Sequence, residues 1–197
     1  MNEVSVGTPF TTKSLHTTRP EAHVVQFYAE DAFLVDSLTK FVSSGLGAGK
    51  VVIVIGTKKH REGLRRSLQA RGIDVTGAVK RSRYIVLDAA ETMAKFMDGD
   101  LPNERKFQSL IGSLIRKVET TIPGQRVAVF GEMVALLWKK KNFEAALRLE
   151  QLWNELARTH FFYLRCAYPT SGFQGTQKGR SYSAICAEHS GVIPAEA

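Results

Sequence analysis

The sequence predicts an α/β fold with a mainly parallel central sheet of about five strands. Runs of β-branched and aromatic residues alternate with segments whose apolar residues recur at helical spacing. The run Val51–Ile55 is continuously apolar, as in a strand covered on both faces. Strand and helix signals that alternate in this way are typical of a three-layer sandwich, in which helices cover both faces of the sheet.

Each predicted element has its own local signal. The strands are predicted at residues 23–28, 51–55, 84–87, 126–130 and 161–167. Two of the helices between them are predicted to start after Thr57 and Asn103, because these side chains can cap an N-terminus, and a long helix is predicted over 142–159. The remaining predictions are helices over 31–45, 89–97 and 182–189, a break at Pro123-Gly124 and a loop over 170–180.

Domain organisation follows from the length and from the N-terminal composition. Residues 1–20 are rich in Thr and Ser and show no period, so we expect a flexible lead-in there. The rest of the 197-residue chain is long enough for one hydrophobic core, and we expect a single domain over residues 21–197.

Composition excludes several classes of protein. No apolar run approaches the ~20 residues that span a bilayer, and the N-terminus lacks a signal-peptide pattern, so we expect a cytoplasmic protein with no membrane contact. The net charge is +8, but the basic residues are scattered and do not alternate with aromatic ones. No helix-turn-helix is recognisable, so direct nucleic-acid binding is not expected. The two cysteines, Cys166 and Cys186, are expected to be buried thiols.

The stretch from Ser44 to Gly56 imitates a phosphate-binding loop but fails its requirements. A P-loop follows a strand, opens a helix, and places a Ser or Thr hydroxyl after its lysine. Here a predicted helix precedes the glycines, a strand follows them, and Val51 comes after Lys50. We therefore interpret the glycines as a helix end and a turn.

The position where a P-loop belongs is the segment after the first strand, residues 27–33. It has no glycine and carries two acidic residues, which would repel a nucleotide phosphate. We therefore expect no catalytic residues, no cofactor and no ATP hydrolysis by the familiar route. No serine or cysteine nucleophile lies on a recognisable elbow either.

Seven short motifs occur in an order that resembles one family. They are His23-x-x-Gln-Phe-Tyr28, Asp31-x-Phe33-Leu34, Gly45-Leu-x-x-Gly49, Phe130-Gly-Glu-Met-Val134, Leu149-Glu-x-Leu-Trp-Asn154, Cys166-Ala-Tyr-Pro169 and the closing Ile185-Cys-Ala-Glu-His-Ser190 with Val192-Ile-Pro194. Together they resemble the MEDS family, the methanogen/methylotroph sensory domain. The resemblance covers roughly residues 22–194.

The resemblance implies a RecA/KaiC-like fold that has lost its nucleotide-binding loop. It also implies a domain that senses small molecules, such as hydrocarbon derivatives. Members are often joined to DNA-binding helices or histidine-kinase modules. This chain shows no such output domain, so we expect a stand-alone module whose partner, a histidine kinase or a transcriptional regulator, is a separate chain. A homodimer is compatible with this interpretation.

Ligands of open parallel sheets bind beyond the carboxyl ends of the strands. The residues at those ends mix aromatic and polar groups, as small-molecule pockets do. We therefore predict these ligand-binding residues: Gln26, Tyr28, Asp31, Thr57, Asp88, Glu132 and Tyr168. For Glu132 and Asp88, capping of the next helix is the alternative role, and for Tyr28 it is coverage of the sheet edge.

A second predicted group comprises partner-contacting or supporting residues: His23, Glu150, Trp153 and Asn154. Glu150 and Asn154 share a helix face at i,i+4, which suits either a partner contact or a hydrogen bond between elements. Cys186 and His189 have ligand-like spacing but lack a second pair, so we predict no metal site.

The leading hypothesis is thus a sensory module that binds a small, largely apolar ligand. Two alternatives stay open. One is a degenerate nucleotide-binding protein with weak residual ATPase-like activity that uses Lys58 and Lys59. The other is a ligand-free protein-interaction module.

Overall fold

The computed structural model describes residues 23–121, 124, 126–173 and 178–196, with backbone only over 178–181. The predicted lead-in at 1–20 and the predicted break at Pro123 lie outside the described residues. The strands are β1 His23–Tyr28, β2 Val51–Gly56, β3 Tyr84–Asp88, β4 Met97–Asp98, β5 Leu101–Pro102, β6 Val127–Gly131, β7 Phe162–Pro169 and β8 Gly191–Ile193.

Six of these strands form one sheet in the order β3-β2-β6-β7-β1-β8. All neighbouring pairs in it are parallel. The predicted α/β class is confirmed. The short strands β4 and β5 form a separate antiparallel pair.

Helices occupy the connections, two of them start where the capping residues Thr57 and Asn103 predict, and a third starts after Asn142, where the long helix is predicted to begin. Thr57, Asn103 and Asn142 each accept a backbone N–H of the first turn of the following helix. The helices are α1 Asp31–Gly47, α2 Lys58–Ala70, α3 Val75–Lys80, α4 Ala89–Ala94, α5 Glu104–Phe107, α6 Ser113–Thr121, α7 Met133–Lys139, α8 Phe143–Leu156 and α9 Lys178–Ala187. A π-helical turn, Gln108–Gly112, joins α5 to α6, and a 3-10 turn, Thr170–Gly172, follows β7.

The glycines that imitate a P-loop end a helix, as predicted. Helix α1 stops at Gly47, and Gly49 has a φ of 79°, in the left-handed region that a glycine adopts without strain. The N–H of Lys50 donates to the carbonyl of Gly45 at 2.9 Å, and β2 begins with the next residue. The order is therefore helix, turn and strand.

Two hydrophobic cores lie on opposite faces of the sheet, because side chains alternate along each strand. One face presents Ile53, Val129 and Leu164 to helices α4 to α9. The other presents Val52 and Val54 to α1 and α2. The result is the three-layer arrangement that the sequence predicts. None of the described helices is long and apolar enough to cross a membrane.

Candidate ligand site at the carboxyl edge of the sheet

The chain reverses its direction of travel across the sheet between β2 and β6. The connection after β2 leads to β3 on one side, whereas the connection after β6 leads to β7 on the other. Open parallel sheets bind ligands at such a switch point, beyond the carboxyl ends of the strands. Thr57 and Glu132 directly follow this pair of strands and lie side by side.

Glu132 is a fully buried carboxylate with two close partners. Its Oε2 accepts the backbone N–H of Thr57 at 2.9 Å, and its Oε1 lies 2.5 Å from Nδ1 of His60. Glu132 precedes α7, but its side chain caps no N–H of that helix. It therefore joins the end of β6 to the start of α2.

His60 links this buried carboxylate to the surface. Its Nε2 lies 3.1 Å from Oδ1 of Asp31, at the start of α1, but not in line for a hydrogen bond. Within the described part of the chain, this buried nitrogen has no hydrogen-bond partner. Asp31 also forms an ion pair with Lys59, and the ring of Tyr28 meets the His60 ring edge-on, with centroids 5.9 Å apart.

The charged groups of this cluster shift one another's pKa values. Burial lowers the pKa of His60, but the carboxylates of Glu132 and Asp31 outweigh burial and leave the pKa above its ordinary value of 6.5. The hydrogen bond from Lys59 lowers the pKa of Asp31. Burial, followed by the charges of Glu132 and Asp31, raises the pKa of Tyr28, so its hydroxyl stays protonated. When His60 is protonated, the two cations and two anions of the cluster balance.

The cluster opens into a cleft of about 470 Å³ between α1 and α2. Asp31, Lys59 and His60 line the end nearest the sheet edge, because they lie in the first turns of the two helices. Further along the helices the lining includes Ala32, Val35, Gly63 and Ala70, which are apolar or small, together with the polar residues Arg66 and Ser67. The volume lies within the range of small-molecule sites, roughly 300 to 1,000 Å³.

The backbone N–H groups after β1 already have an acceptor. Oε1 of Glu196 accepts the N–H of Glu30 at 2.6 Å and that of Ala29 at 3.2 Å. In a P-loop protein the phosphates take the N–H groups of this segment. Here a carboxylate of the same chain does so.

Comparison with known proteins identifies the family. The sequence model of the MEDS family, described as the MEthanogen/methylotroph, DcmR Sensory domain, matches residues 22–181. The chain belongs to the MEDS family. The family's sensory description gives this MEDS domain a sensory or regulatory role. No curated protein matches the sequence.

The fold of this MEDS domain has a counterpart among solved structures. It resembles the crystal structure of a KaiC-like protein from the hyperthermophilic archaeon Pyrococcus horikoshii OT3, with a TM-score of 0.57 and 16% sequence identity. The match covers 89% of this chain and 73% of that protein. The RecA/KaiC-like fold implied by the resemblance is thus confirmed. At a sequence identity this low, the similarity supports a conclusion about the fold alone.

The structure brings together four of the seven predicted ligand-binding residues of the MEDS domain and separates the other three. Tyr28, Asp31, Thr57 and Glu132 meet at the carboxyl edge, as described above. Asp88 caps α4 through the N–H groups of Ala90 and Glu91 and pairs with Arg61. Tyr168 points to the opposite face of the sheet, because side chains alternate along a strand, whereas Gln26 shares the face of Tyr28 but lies two residues before the strand end.

Gln26 lies beside a second cavity, of about 510 Å³, between α1 and the sheet. Its Oε1 accepts from Ser37 at 3.2 Å and from Arg165 at 3.4 Å. Arg165 lines this cavity and stacks on the ring of Phe41, with Cζ 4.7 Å from the ring centroid. Lys40 and Lys50 line it too, so this groove is basic, unlike the neutral cluster at the carboxyl edge.

Tyr168 belongs to a buried polar network on the opposite face, around Glu150 of α8. The Tyr168 hydroxyl donates to Oε1 of Glu150 at 2.8 Å, and the Cys166 thiol donates to Oε2 at 3.2 Å. Nε2 of His23 lies 3.3 Å from Oε2, and Nε2 of His189 lies 3.4 Å from Oε1. Glu150 is fully buried, as are Cys166 and Tyr168.

This network contains three of the four predicted partner-contacting or supporting residues. Nδ1 of His23 lies 2.8 Å from Oδ1 of Asn154, so Asn154 supports His23 from inside the domain. Trp153 packs in the core, with its ring centroid 5.1 Å from that of Phe107. Because His23, Glu150 and Trp153 are buried, none of them presents a surface to a partner. Hydrogen bonding between elements is the alternative that the structure favours for Glu150 and Asn154.

The charge balance of the network depends on the two imidazoles. Burial by itself would raise the pKa of Glu150, but the imidazoles of His189 and His23 lower it below its ordinary value. Burial and the Glu150 carboxylate raise the pKa of the Cys166 thiol and of the Tyr168 hydroxyl. Cys186 lies outside this network and is half-buried.

Proposed function

We propose that this MEDS domain is a sensor that binds a small, largely apolar ligand in the cleft between α1 and α2. One observation carries the proposal: beside the cleft, Nε2 of His60 has no aligned hydrogen-bond partner among the described residues and meets only the Asp31 carboxylate, 3.1 Å away and out of line. A buried polar nitrogen without a partner is unfavourable, and a ligand that bonds to it removes that penalty.

The lining of the cleft selects the chemistry of the ligand. Val35, Gly63 and Ala70 offer apolar contact to a short hydrocarbon chain. At the sheet-edge end, the charges of Asp31, Lys59, His60 and Glu132 cancel when His60 is protonated, which favours a neutral polar head there, and Arg66 lies further along the cleft. A hydroxyl or carbonyl group can accept from His60 or Lys59, and a hydroxyl can also donate to Asp31.

Ligand binding is proposed to alter the packing of α1 against α2. The two helices approach closely at the cleft. A methyl group added to Gly63 would lie only 3.1 Å from Cγ2 of Val35, so a larger residue at this position would crowd the opposite helix. The contacts of Asp31 with Lys59 and His60 also bridge the two helices. A ligand that replaces these contacts shifts the population between two arrangements of the helices only if it binds one of them better.

The output is proposed to pass to a separate protein, a histidine kinase or a transcriptional regulator, through the outer surface of these helices. The basis for this step is the family's sensory role. A ligand-dependent change of partner affinity would be its signature.

A thermal-shift screen with short-chain alcohols, ketones, amines and carboxylates tests the ligand proposal. We expect the neutral alcohols or ketones to raise the melting temperature most. Asp31→Ala should weaken their binding about tenfold or more, since a hydrogen bond to a charged group contributes roughly 1.5 to 3 kcal/mol.

Asp36→Ala is the matched control. Asp36 also lies in α1 and pairs with a lysine, Lys40, but it does not line the cleft. The proposal fails if no compound stabilises the protein, or if both variants weaken binding equally. ATP with Mg²⁺ in the same screen tests the nucleotide-binding alternative, for which stabilisation by ATP would be the support.

A further inference from the structure

Four side chains with metal-binding atoms converge inside the domain, on the sheet face opposite the ligand cleft. They are His23, Glu150, Cys166 and His189, and one donor atom from each lies within 4.8 Å of the other three. They come from β1, α8, β7 and the segment that follows α9. The side chains of Glu150 and His189 have no exposed surface, and that of His23 is 5% exposed.

The spacing of three of the four donor atoms matches a tetrahedral metal centre. Zinc bonds of about 2.0 to 2.3 Å place two donors of a tetrahedron roughly 3.3 to 3.7 Å apart. Oε2 of Glu150 lies 3.2 Å from Sγ of Cys166 and 3.3 Å from Nε2 of His23. Nε2 of His23 lies 3.4 Å from Sγ of Cys166, and Nε2 of His189 lies 3.4 Å from Oε1 of Glu150. Nε2 of His189 faces the other carboxylate oxygen, and the four donor atoms span up to 4.8 Å, so His189 and the carboxylate would have to shift towards each other for one ion to bind all four.

Both imidazoles are oriented by hydrogen bonds on their other nitrogen. Nδ1 of His189 lies 2.6 Å from the carbonyl of Ile185, which can only accept, so Nδ1 carries the proton. Asn154 donates its amide to the carbonyl of Glu188 at 2.9 Å, which leaves its oxygen to accept from Nδ1 of His23 at 2.8 Å. If both imidazoles are neutral, each Nε2 is therefore unprotonated, and its lone pair points at the Glu150 carboxylate. Metal-binding histidines are commonly held in this way.

Without a metal ion, no protonation state of the two imidazoles both balances the charge of Glu150 and satisfies every buried polar atom. If both Nε2 atoms are protonated, two cations and one carboxylate leave a buried excess positive charge. If either imidazole alone is protonated the charge balances, yet Nε2 of His189 has no aligned partner among the described residues in either case. A divalent ion bound to a carboxylate, a thiolate and two neutral imidazoles balances the charge and uses all four donors.

We propose that His23, Glu150, Cys166 and His189 bind one Zn²⁺ ion. Two imidazoles, one thiolate and one carboxylate form a donor set of intermediate softness, which suits zinc better than Mg²⁺ or Ca²⁺. All four positions come from protein side chains and are buried, which is typical of a structural site rather than a catalytic one. The Tyr168 hydroxyl and Asn154 then support the first ligands, as described above.

The ion would fasten the C-terminal segment to the sheet. His189 immediately precedes Ser190, whose N–H and hydroxyl both donate to the carbonyl of His23 at 2.8 Å. Strand β8 follows directly and pairs with β1. The metal bond therefore crosslinks the edge of the sheet to α8 and β7. This inference does not depend on the ligand proposal, since the two sites lie on opposite faces of the sheet.

The test uses the full-length chain, stripped of metal with a chelator and then incubated with Zn²⁺. Metal content is measured by elemental analysis after gel filtration. In parallel, Co²⁺ replaces Zn²⁺ as a spectroscopic probe, because thiolate coordination gives a charge-transfer band. Cys166→Ser removes the proposed sulfur ligand, and Cys186→Ser is the matched control, since Cys186 is a free thiol outside the cluster.

We expect one zinc per chain, and the cobalt–thiolate band, in both the wild type and Cys186→Ser. Cys166→Ser should lose the band, and Asn154→Ala should weaken Zn²⁺ binding on the order of 10- to 100-fold. The proposal is overturned if the wild type retains no stoichiometric zinc, or if the band survives in Cys166→Ser. If Cys166→Ser does not fold, the band in the wild type and in Cys186→Ser still decides, and its absence there overturns the proposal.

Discussion

Replacing Glu132 is the sharpest test of how the carboxyl edge is organised. In Glu132→Ala the N–H of Thr57 and Nδ1 of His60 lose their acceptor, at positions where Glu132 is fully buried and His60 is 5% exposed. Removal of one partner from a buried, hydrogen-bonded pair of this kind costs about 3 to 5 kcal/mol. This is a large fraction of the 5 to 15 kcal/mol by which a domain is typically stable.

Urea unfolding, followed by circular dichroism, measures this loss directly. A parallel thermal melt gives the melting temperature. For a domain of this size, 1 kcal/mol corresponds to roughly 2 to 4 °C, so we expect the melting temperature to fall by roughly 6 to 20 °C. Glu132→Gln preserves the shape and one acceptor oxygen, so it should lose less than Glu132→Ala. Glu62→Gln on the exposed face of α2 is the control and should change stability by less than about 0.5 kcal/mol.

A small effect of Glu132→Ala would refute this reasoning. If the free energy of unfolding falls by less than about 1 kcal/mol, the two donors must find other acceptors or water. Equal losses of unfolding free energy for Glu132→Ala and Glu132→Gln would also contradict it, because most of the penalty is expected to come from the missing acceptor.

Three further predictions concern stability. His60 has a raised pKa in the folded state, so its charged form contributes stability below about pH 6.5, and this contribution is lost as the pH rises through the folded-state pKa. The difference in unfolding free energy between the wild type and His60→Gln should therefore shrink as the pH rises above about 6.5, and a constant difference would contradict the pairing. Gly45→Ala should cost about 1 to 3 kcal/mol, because its methyl group would lie 2.7 Å from a core side chain of β2. In the same helix, a methyl group added to Gly47 would meet nothing within 4 Å, so Gly47→Ala should be neutral or stabilising by up to about 1 kcal/mol. If chemical denaturation shows similar losses of unfolding free energy for both variants, the clash at Gly45 is refuted. Asp88→Ala should cost about 0.5 to 2 kcal/mol through the lost cap of α4, whereas Asp88→Asn, which can still cap, should lose less in thermal melts.

The central strands and the capped helices could be predicted from local sequence alone. A continuous apolar run such as Val51–Ile55 and a capping residue such as Thr57 act within a few residues of themselves, and the structure contains both features. Strand β8 was not predicted, because three residues carry no periodic signal and pair only through their contact with β1. The π-helical turn inside the helix predicted after Asn103 also has no local signature.

The carboxyl edge was predictable only where residues directly follow strands. Thr57 and Glu132 end neighbouring parallel strands, so they had to meet, although their sequence separation is large. His60 was missed because it lies within a basic run, where nothing in the sequence distinguishes a buried histidine from a solvated one. The helical position, one turn after Thr57 and on the buried face of α2, was the available signal.

The prediction of no metal site rested on the spacing of Cys186 and His189. The structure instead brings His189 beside Cys166, which faces the α8 side of β7. Such a set comes from four distant segments, so sequence spacing could not reveal it. The alternation along β7 shows which cysteine points inward only once the sheet is known.

The most direct test of the sensory proposal is an amide chemical-shift map of the isotope-labelled chain during titration with the best compound from the thermal-shift screen. We predict saturable shifts that concentrate in residues 31–35 and 58–70, on both walls of the cleft. Shifts confined to the basic groove around Ser37, Tyr163 and Arg165 would contradict the account, because they would place the ligand on another part of the sheet.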